Sequence, residues 1–138
     1  MRTLIKLFFL CIILTIIPIS LFSQITLTIE IDGLNNSDGQ ILLEFNNEKG
    51  EKIMGIKKNI IEKKCVIVIN DLKPGKYAFK YFHDENKNED LDCNWIGIPK
   101  EGFGFANNAT GMFGPPSFKK TIFELKQTTT LKCTPIYY

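Results

Sequence analysis

Residues 24–32 read Gln-Ile-Thr-Leu-Thr-Ile-Glu-Ile-Asp, apolar and polar by turns, which is the period-two signature of a strand with one buried face. The turn-rich stretch 33–39, holding Gly33, Asn35, Asn36, Ser37, Asp38 and Gly39, separates it from a second strand over 40–45. Further strands are predicted at about 53–58, 61–69, 76–83, 119–125 and 128–134. About seven short strands without a helical period predict an all-β fold, a single antiparallel β-sandwich.

Asp71-Leu72-Lys73-Pro74-Gly75-Lys76-Tyr77 predicts a tight turn, with Pro74 fixing φ at the first corner and Gly75 accepting positive φ at the second. The strand that follows alternates Tyr77, Phe79, Tyr81 and His83 with Ala78, Lys80, Phe82 and Asp84. The first set is the more apolar and is expected to face the core. His83 then ends the inward row at the rim, and Asp84 points toward the next loop.

That next stretch, 82–118, has little periodicity, yet it carries the single His and the single Trp of the chain and many other aromatics. Aromatics argue for packing rather than disorder. Phe103, Phe105, Met112, Phe113 and Phe118 are expected to pin it down as one long ordered loop covering an end or edge of the sandwich.

Arg2 and Lys6, an apolar run from Leu7 to Ile19 and the ending Ser20-Leu21-Phe22-Ser23 read as a secretory signal peptide over 1–23, leaving one domain over 24–138. The apolar run is shorter than the ~20 residues of a membrane span, and no later segment offers one. The expected location is periplasmic or extracellular. With Arg2 and Lys6 gone, the remaining 15 basic residues balance 15 acidic ones, so charge gives no reason to expect nucleic acid as a partner. Cys65, Cys93 and Cys133 allow at most one internal disulfide, and three pairings stay open.

Counting Asp84 as position one puts Asn86 at three, Asn88 at five, the Asp90 carbonyl at seven, Leu91 at eight and Asp92 at nine. Calcium takes six to eight hard oxygens, and loops of the EF-hand kind supply them at this alternate spacing. Glu89 stands at position six where such loops use Gly, and Trp95 stands at position twelve where they use a bidentate Glu. Glu101 is the carboxylate able to replace it. The reading is a weak calcium site that orders the loop, against a solvated turn whose Asx side chains bond their own backbone.

His83 beside Asp84 raises a competing reading, a hydrolase-type enzyme using His83 with Asp84, Asp92 or Glu101. No nucleophile stands in a suitable context: Ser37 is in a distant turn and Ser117 in a Pro-Pro-Ser corner. No residue is therefore assigned a catalytic role, and a rim histidine bonding loop carbonyls is expected instead. An open pocket joining His83 to two carboxylates would favour the enzyme; a histidine sealed beneath Ile98-Pro99 would remove its base. A Cys3His zinc set of Cys65, Cys93, Cys133 and His83 lacks paired-ligand spacing. Trp95, Phe103 and Phe105 offer a platform for a sugar or apolar ligand, with Phe103 and Phe105 on one side of an extended segment, or else a satellite core under the loop. Asn107 and Asn108 complete the candidate surface.

Several of these motifs occur together: Asp71-Leu72-x-Pro-Gly-x-Tyr-Ala, Phe82-His83-Asp84-Glu85-Asn86-x-Asn88, Leu91-Asp92, Gly97-Ile98-Pro99-Lys100-Glu101-Gly102-Phe103-Gly104-Phe105-x-Asn107-Asn108 and Phe113-Gly114-Pro115-Pro116-Ser117-Phe118. In this set the chain resembles the secreted bacterial proteins grouped as domain of unknown function 2141. The resemblance implies export from a bacterial cytoplasm and a small β-sandwich, and it brings no assigned activity. Where the family pattern reads Asn-Gly, this chain has Asn88-Glu89. The combined expectation is a non-enzymatic binding or structural module, whose partner is a small ligand, a glycan or an envelope protein.

Overall fold

Ile25, Leu27, Ile29 and Ile31 all point inward from β1 (Ile25–Asp32), as the alternation requires, and each is at most 1 % exposed. β1 is the middle strand of a three-stranded sheet in the computed structural model, which describes residues 24–138. The signal peptide expected over 1–23 lies outside the described residues. On one side β1 pairs antiparallel with β4 (Lys64–Leu72), and on the other it pairs parallel with β8 (Thr129–Cys133).

The second sheet runs β3-β2-β5-β6, formed by β3 (Lys52–Asn59), β2 (Gln40–Asn47), β5 (Gly75–Asp84) and β6 (Phe103–Phe105). β7 (Ile122–Leu125) shares the same flank of β5 as β6, pairing with Gly75 to Ala78 while β6 pairs with Lys80 to Phe82. The two sheets pack face to face as a sandwich. It is all-β as expected, and the described residues form eight strands where about seven were predicted, with one parallel pair among antiparallel ones.

The core is where the inward rows meet: Ile41, Leu43 and Phe45 from β2, Phe79 and Tyr81 from β5, Ile67 and Ile69 from β4. Phe45 stacks on Tyr77 at 5.1 Å between centroids, and Phe79 meets Phe123 edge-on at 5.7 Å. Burying each such aromatic is worth roughly 1.5–3 kcal/mol. All of these residues lie within 25–133.

Two local expectations are corrected. The left-handed residue before β5 is Asp71, at φ 60, and not Gly75, because the register of β4 on β1 slips at that end and Asp71 absorbs the slip. The 82–118 segment is only partly pinned: Met112 and Phe113 are 89 % and 99 % exposed at a tip, while Phe103 and Phe105 form β6 and are half-buried.

Candidate functional site

β5 pairs with β2 so that His83 sits opposite Ile41 and Asp84 opposite Gln40, one inward and one toward the loop. His83 is fully buried. Its Nε2 lies 2.7 Å from the Asp38 carbonyl and its Nδ1 2.8 Å from the Tyr137 hydroxyl. A carbonyl only accepts, so Nε2 carries the hydrogen; in the neutral ring Nδ1 then accepts from Tyr137. Burial raises the Tyr137 phenol above its ordinary value and keeps it protonated, as a donor must be. Its oxygen in turn accepts the Asn35 N–H at 3.2 Å.

The cover over His83 is thus the Asp38 carbonyl and Tyr137, not Ile98-Pro99. Gly39 makes this cover fit. A Cβ there would overlap the Asp84 carbonyl, and the φ of +71° at Gly39 lies in the left-handed region that favours glycine. With both ring nitrogens engaged and no exposed atom, the imidazole has no approach for a substrate.

The three carboxylates proposed to assist it, Asp84, Asp92 and Glu101, are committed as well. Asp84, also fully buried, accepts the N–H of Asn88 at 3.0 Å, the N–H of Glu89 at 3.2 Å and the Gln40 amide at 2.9 Å. Glu101, 5 % exposed, accepts the N–H of Glu85 at 2.9 Å with one oxygen and the N–H of Asp92 at 3.1 Å with the other. One buried side chain thereby closes both ends of the 85–92 loop. Within the loop, Asn86 and Asn88 donate their amides to Asp92, and Asn88 and Asp90 donate N–H to the Asn86 and Asn88 side-chain oxygens.

Lys87 and Glu89 adopt φ of 59° and 67°. Glu89 therefore makes the turn that Gly makes elsewhere, and its carboxylate pairs with Lys57 of β3. Among the described residues no group of three or more His, Cys, Asp or Glu is arranged to hold a metal. The zinc set fails on topology. Cys65 and Cys133 flank Ile31 from opposite sides of β1, about 10 Å apart at two strand spacings, beyond the ~7 Å reach of a disulfide. Cys93 is exposed, and the three thiols among the described residues form no disulfide with one another.

Asn107 and Asn108 serve the sheet edges. Both have left-handed backbone in the short turn Ala106–Asn108. Asn107 donates to the carbonyls of Lys120 and Ile122, at the start of β7; Asn108 donates to the Lys132 carbonyl and accepts the Thr134 N–H, at the end of β8. The turn therefore ties the flank of one sheet to the flank of the other.

Phe103 and Phe105 do share a side, the outer face of the five-stranded sheet, with rings edge-to-face at 6.1 Å. Gly104 between them faces inward, where any Cβ would overlap the Tyr81 ring. Trp95 is 95 % exposed and stacks on no ring among the described residues, so the expected three-ring platform is a pair. The pair walls a groove of about 730 Å³ whose floor includes Leu42, Phe82 and Gly55, with Leu91 from the loop above it and Lys52, Lys57 and Lys80 around it. A second hollow of about 290 Å³ continues past Glu44, Lys80 and Phe105 to Asn46 and Phe118. There Lys80 pairs with Glu44 at 3.2 Å, and Asn46 donates Nδ2 to Glu44 while its buried Oδ1 has no partner among the described residues.

Sequence reasoning missed this groove and Tyr137. The outward alternation of Leu42, Glu44, Lys80 and Phe82 was the available signal for the groove; nothing near the chain's end marks Tyr137.

The family model described as "Uncharacterized protein conserved in bacteria (DUF2141)" matches residues 29–132. The chain belongs to this family. The match runs from the middle of β1 through most of β8, so the DUF2141 region covers nearly all of the sandwich, with the groove, the clamped loop and the edge-tying asparagines inside it. The chain matches no curated protein and no solved structure. No helix of the described residues is long and apolar enough to cross a membrane.

Proposed function

We propose that this DUF2141 protein is a non-enzymatic, exported binding module that takes a small amphipathic ligand on the outer face of its five-stranded sheet. The observation that carries the reading is the half-buried row Leu42, Phe82, Phe103 and Phe105 lining a groove of about 730 Å³, the size of small-molecule sites in general. An apolar body fits that row, and an anionic or polar head fits the lysines and the Glu44–Lys80 pair. The sealed His83 speaks against the hydrolase alternative, whose only base it was.

Gly55 supplies the test. Its φ is ordinary, and an added Cβ meets only the flexible end of Lys52, so Gly55→Leu fills the groove without strain on the fold. Anilinonaphthalene sulfonate, an apolar ring system with an anionic head, is expected to fluoresce on the wild-type domain and to lose most of that signal on Gly55→Leu at unchanged melting temperature. Equal signals from both proteins would sink the groove reading.

A weak calcium-ordered loop is the second reading, favoured by the left-handed turn at Glu89 that removes one departure from the calcium pattern. It requires the Asn86 and Asn88 amides to turn their oxygens inward. Calcium titration followed by Trp95 fluorescence tests it, and no response at millimolar metal ends it.

A further inference from the structure

Every outer strand of a sheet exposes unpaired N–H and C=O groups, and folded proteins cover or charge such edges. Three of the four flanks here are treated in that way. β7 and β8 are tied by Asn107 and Asn108, and β6 is met by the bridge between Phe103 and Ile136. β3 carries Lys52, Lys57 and Lys58.

β4 is different. It is nine residues long, pairs among the described residues with β1 alone apart from a turn bridge between Ile61 and Lys64, and its outward row includes Val66 and Val68, 47 % and 53 % exposed. Its charges differ between the ends: Glu62, Lys63 and Lys64 at the start, with Lys64 paired to Asp32 at 3.0 Å, and Asp71 followed by Lys73 at the end.

We infer that the β4 edge is a self-association surface on which a second copy of this chain lays its own β4 antiparallel, joining two three-stranded sheets into one of six. Centred on Ile67, the register sets Val66 against Val68 of the second copy, Cys65 against Ile69 and Lys64 against Asn70, with each side chain on the face it already occupies. The lysine end of one copy then lies beside the Asp71 end of the other. A parallel arrangement would bring like charges together, so polarity selects the antiparallel one. Left-handed backbone at Lys63 and Asp71 ends the straight ladder on both sides and limits the contact to one strand. Such an interface is smaller than the ~1,200 Å² of standard stable complexes, so the dimer is concentration-dependent.

Sedimentation equilibrium of the 24–138 domain, which contains the whole core, reads the result. The weight-average mass is expected to climb toward twice the monomer value as concentration rises from about 10 to about 500 µM, the range in which a small interface associates. Val66→Lys with Val68→Lys, both on the exposed face, should hold the protein monomeric at an unchanged melting temperature. Lys63→Asp alone should weaken association, and adding Asp71→Lys should restore it. A wild-type mass that stays monomeric throughout, or a double-lysine variant that still dimerises, overturns the inference; failure of the charge swap to restore the dimer overturns its antiparallel register.

Discussion

Tyr137 donates its hydroxyl to Nδ1 of His83 across 2.8 Å, which fastens the end of the chain over the end of β5. The pair is held from both outer sides, by the Asn35 N–H on the phenol oxygen and the Asp38 carbonyl on Nε2. Three segments remote in sequence are thus closed around one imidazole.

Tyr137→Phe removes a donor from a buried acceptor and an acceptor from the Asn35 N–H. Leaving buried polar groups unsatisfied costs about 1–3 kcal/mol. Urea unfolding should show that loss with an unchanged slope, and amide exchange should quicken at 35–39. A stability equal to wild type would mean that the phenol is not the group that satisfies His83.

Glu101→Gln keeps one acceptor oxygen and replaces the other by an amide donor facing an N–H. The 85–92 loop then loses one of its two ties, those to Glu85 and Asp92. Hydrogen bonds to a charged group are worth about 1.5–3 kcal/mol, so the expected outcome is destabilisation of that order. Proteolysis within 85–92 should accelerate more than the global loss alone explains, and equal acceleration everywhere would refute the clamp.

The three thiols of the domain separate by burial. Cys93 should react with a thiol reagent at the rate of a small-molecule thiol, while Cys65 and Cys133 should wait for unfolding. Burial pushes each of the latter two from 9.0 to about 11, so the fold favours their protonated forms. Their contribution is complete below pH 9 and is lost as pH rises toward 11. Thermal stability should therefore fall over that window in the wild type and less in Cys65→Ala, compared with each protein's own value at neutral pH.

Acid acts in the opposite sense at Glu44. Desolvation raises its carboxyl, but hydrogen bonds from Asn46 and Lys80 outweigh it and leave the group below its ordinary 4.5. A depressed value means stability present above that pH and lost as pH falls through the folded value. Glu44→Gln should flatten the decline in melting temperature below pH 4.5; an unchanged slope would assign the decline to other carboxylates.

Strand positions were legible because one-sided burial writes itself into sequence as alternation, clearest in Ile25 to Ile31 and in Phe79, Tyr81 and His83. The sequence by itself determined the all-β class, the inward row of β5, the place of Asp84 at the mouth of the loop and the shared side of Phe103 and Phe105. Each depends on neighbours a few residues apart. Only the tertiary structure decided that β8 runs parallel to β1, that Tyr137 and Asp38 seal His83, that Glu101 closes the loop as a hydrogen-bond acceptor, and that Asn107 and Asn108 tie the sheet flanks. Those facts depend on contacts between distant segments, 54 residues apart in the His83–Tyr137 pair and about 100 apart where Leu27 of β1 meets Thr129 of β8. Periodicity carries no record of which distant segment a side chain will meet.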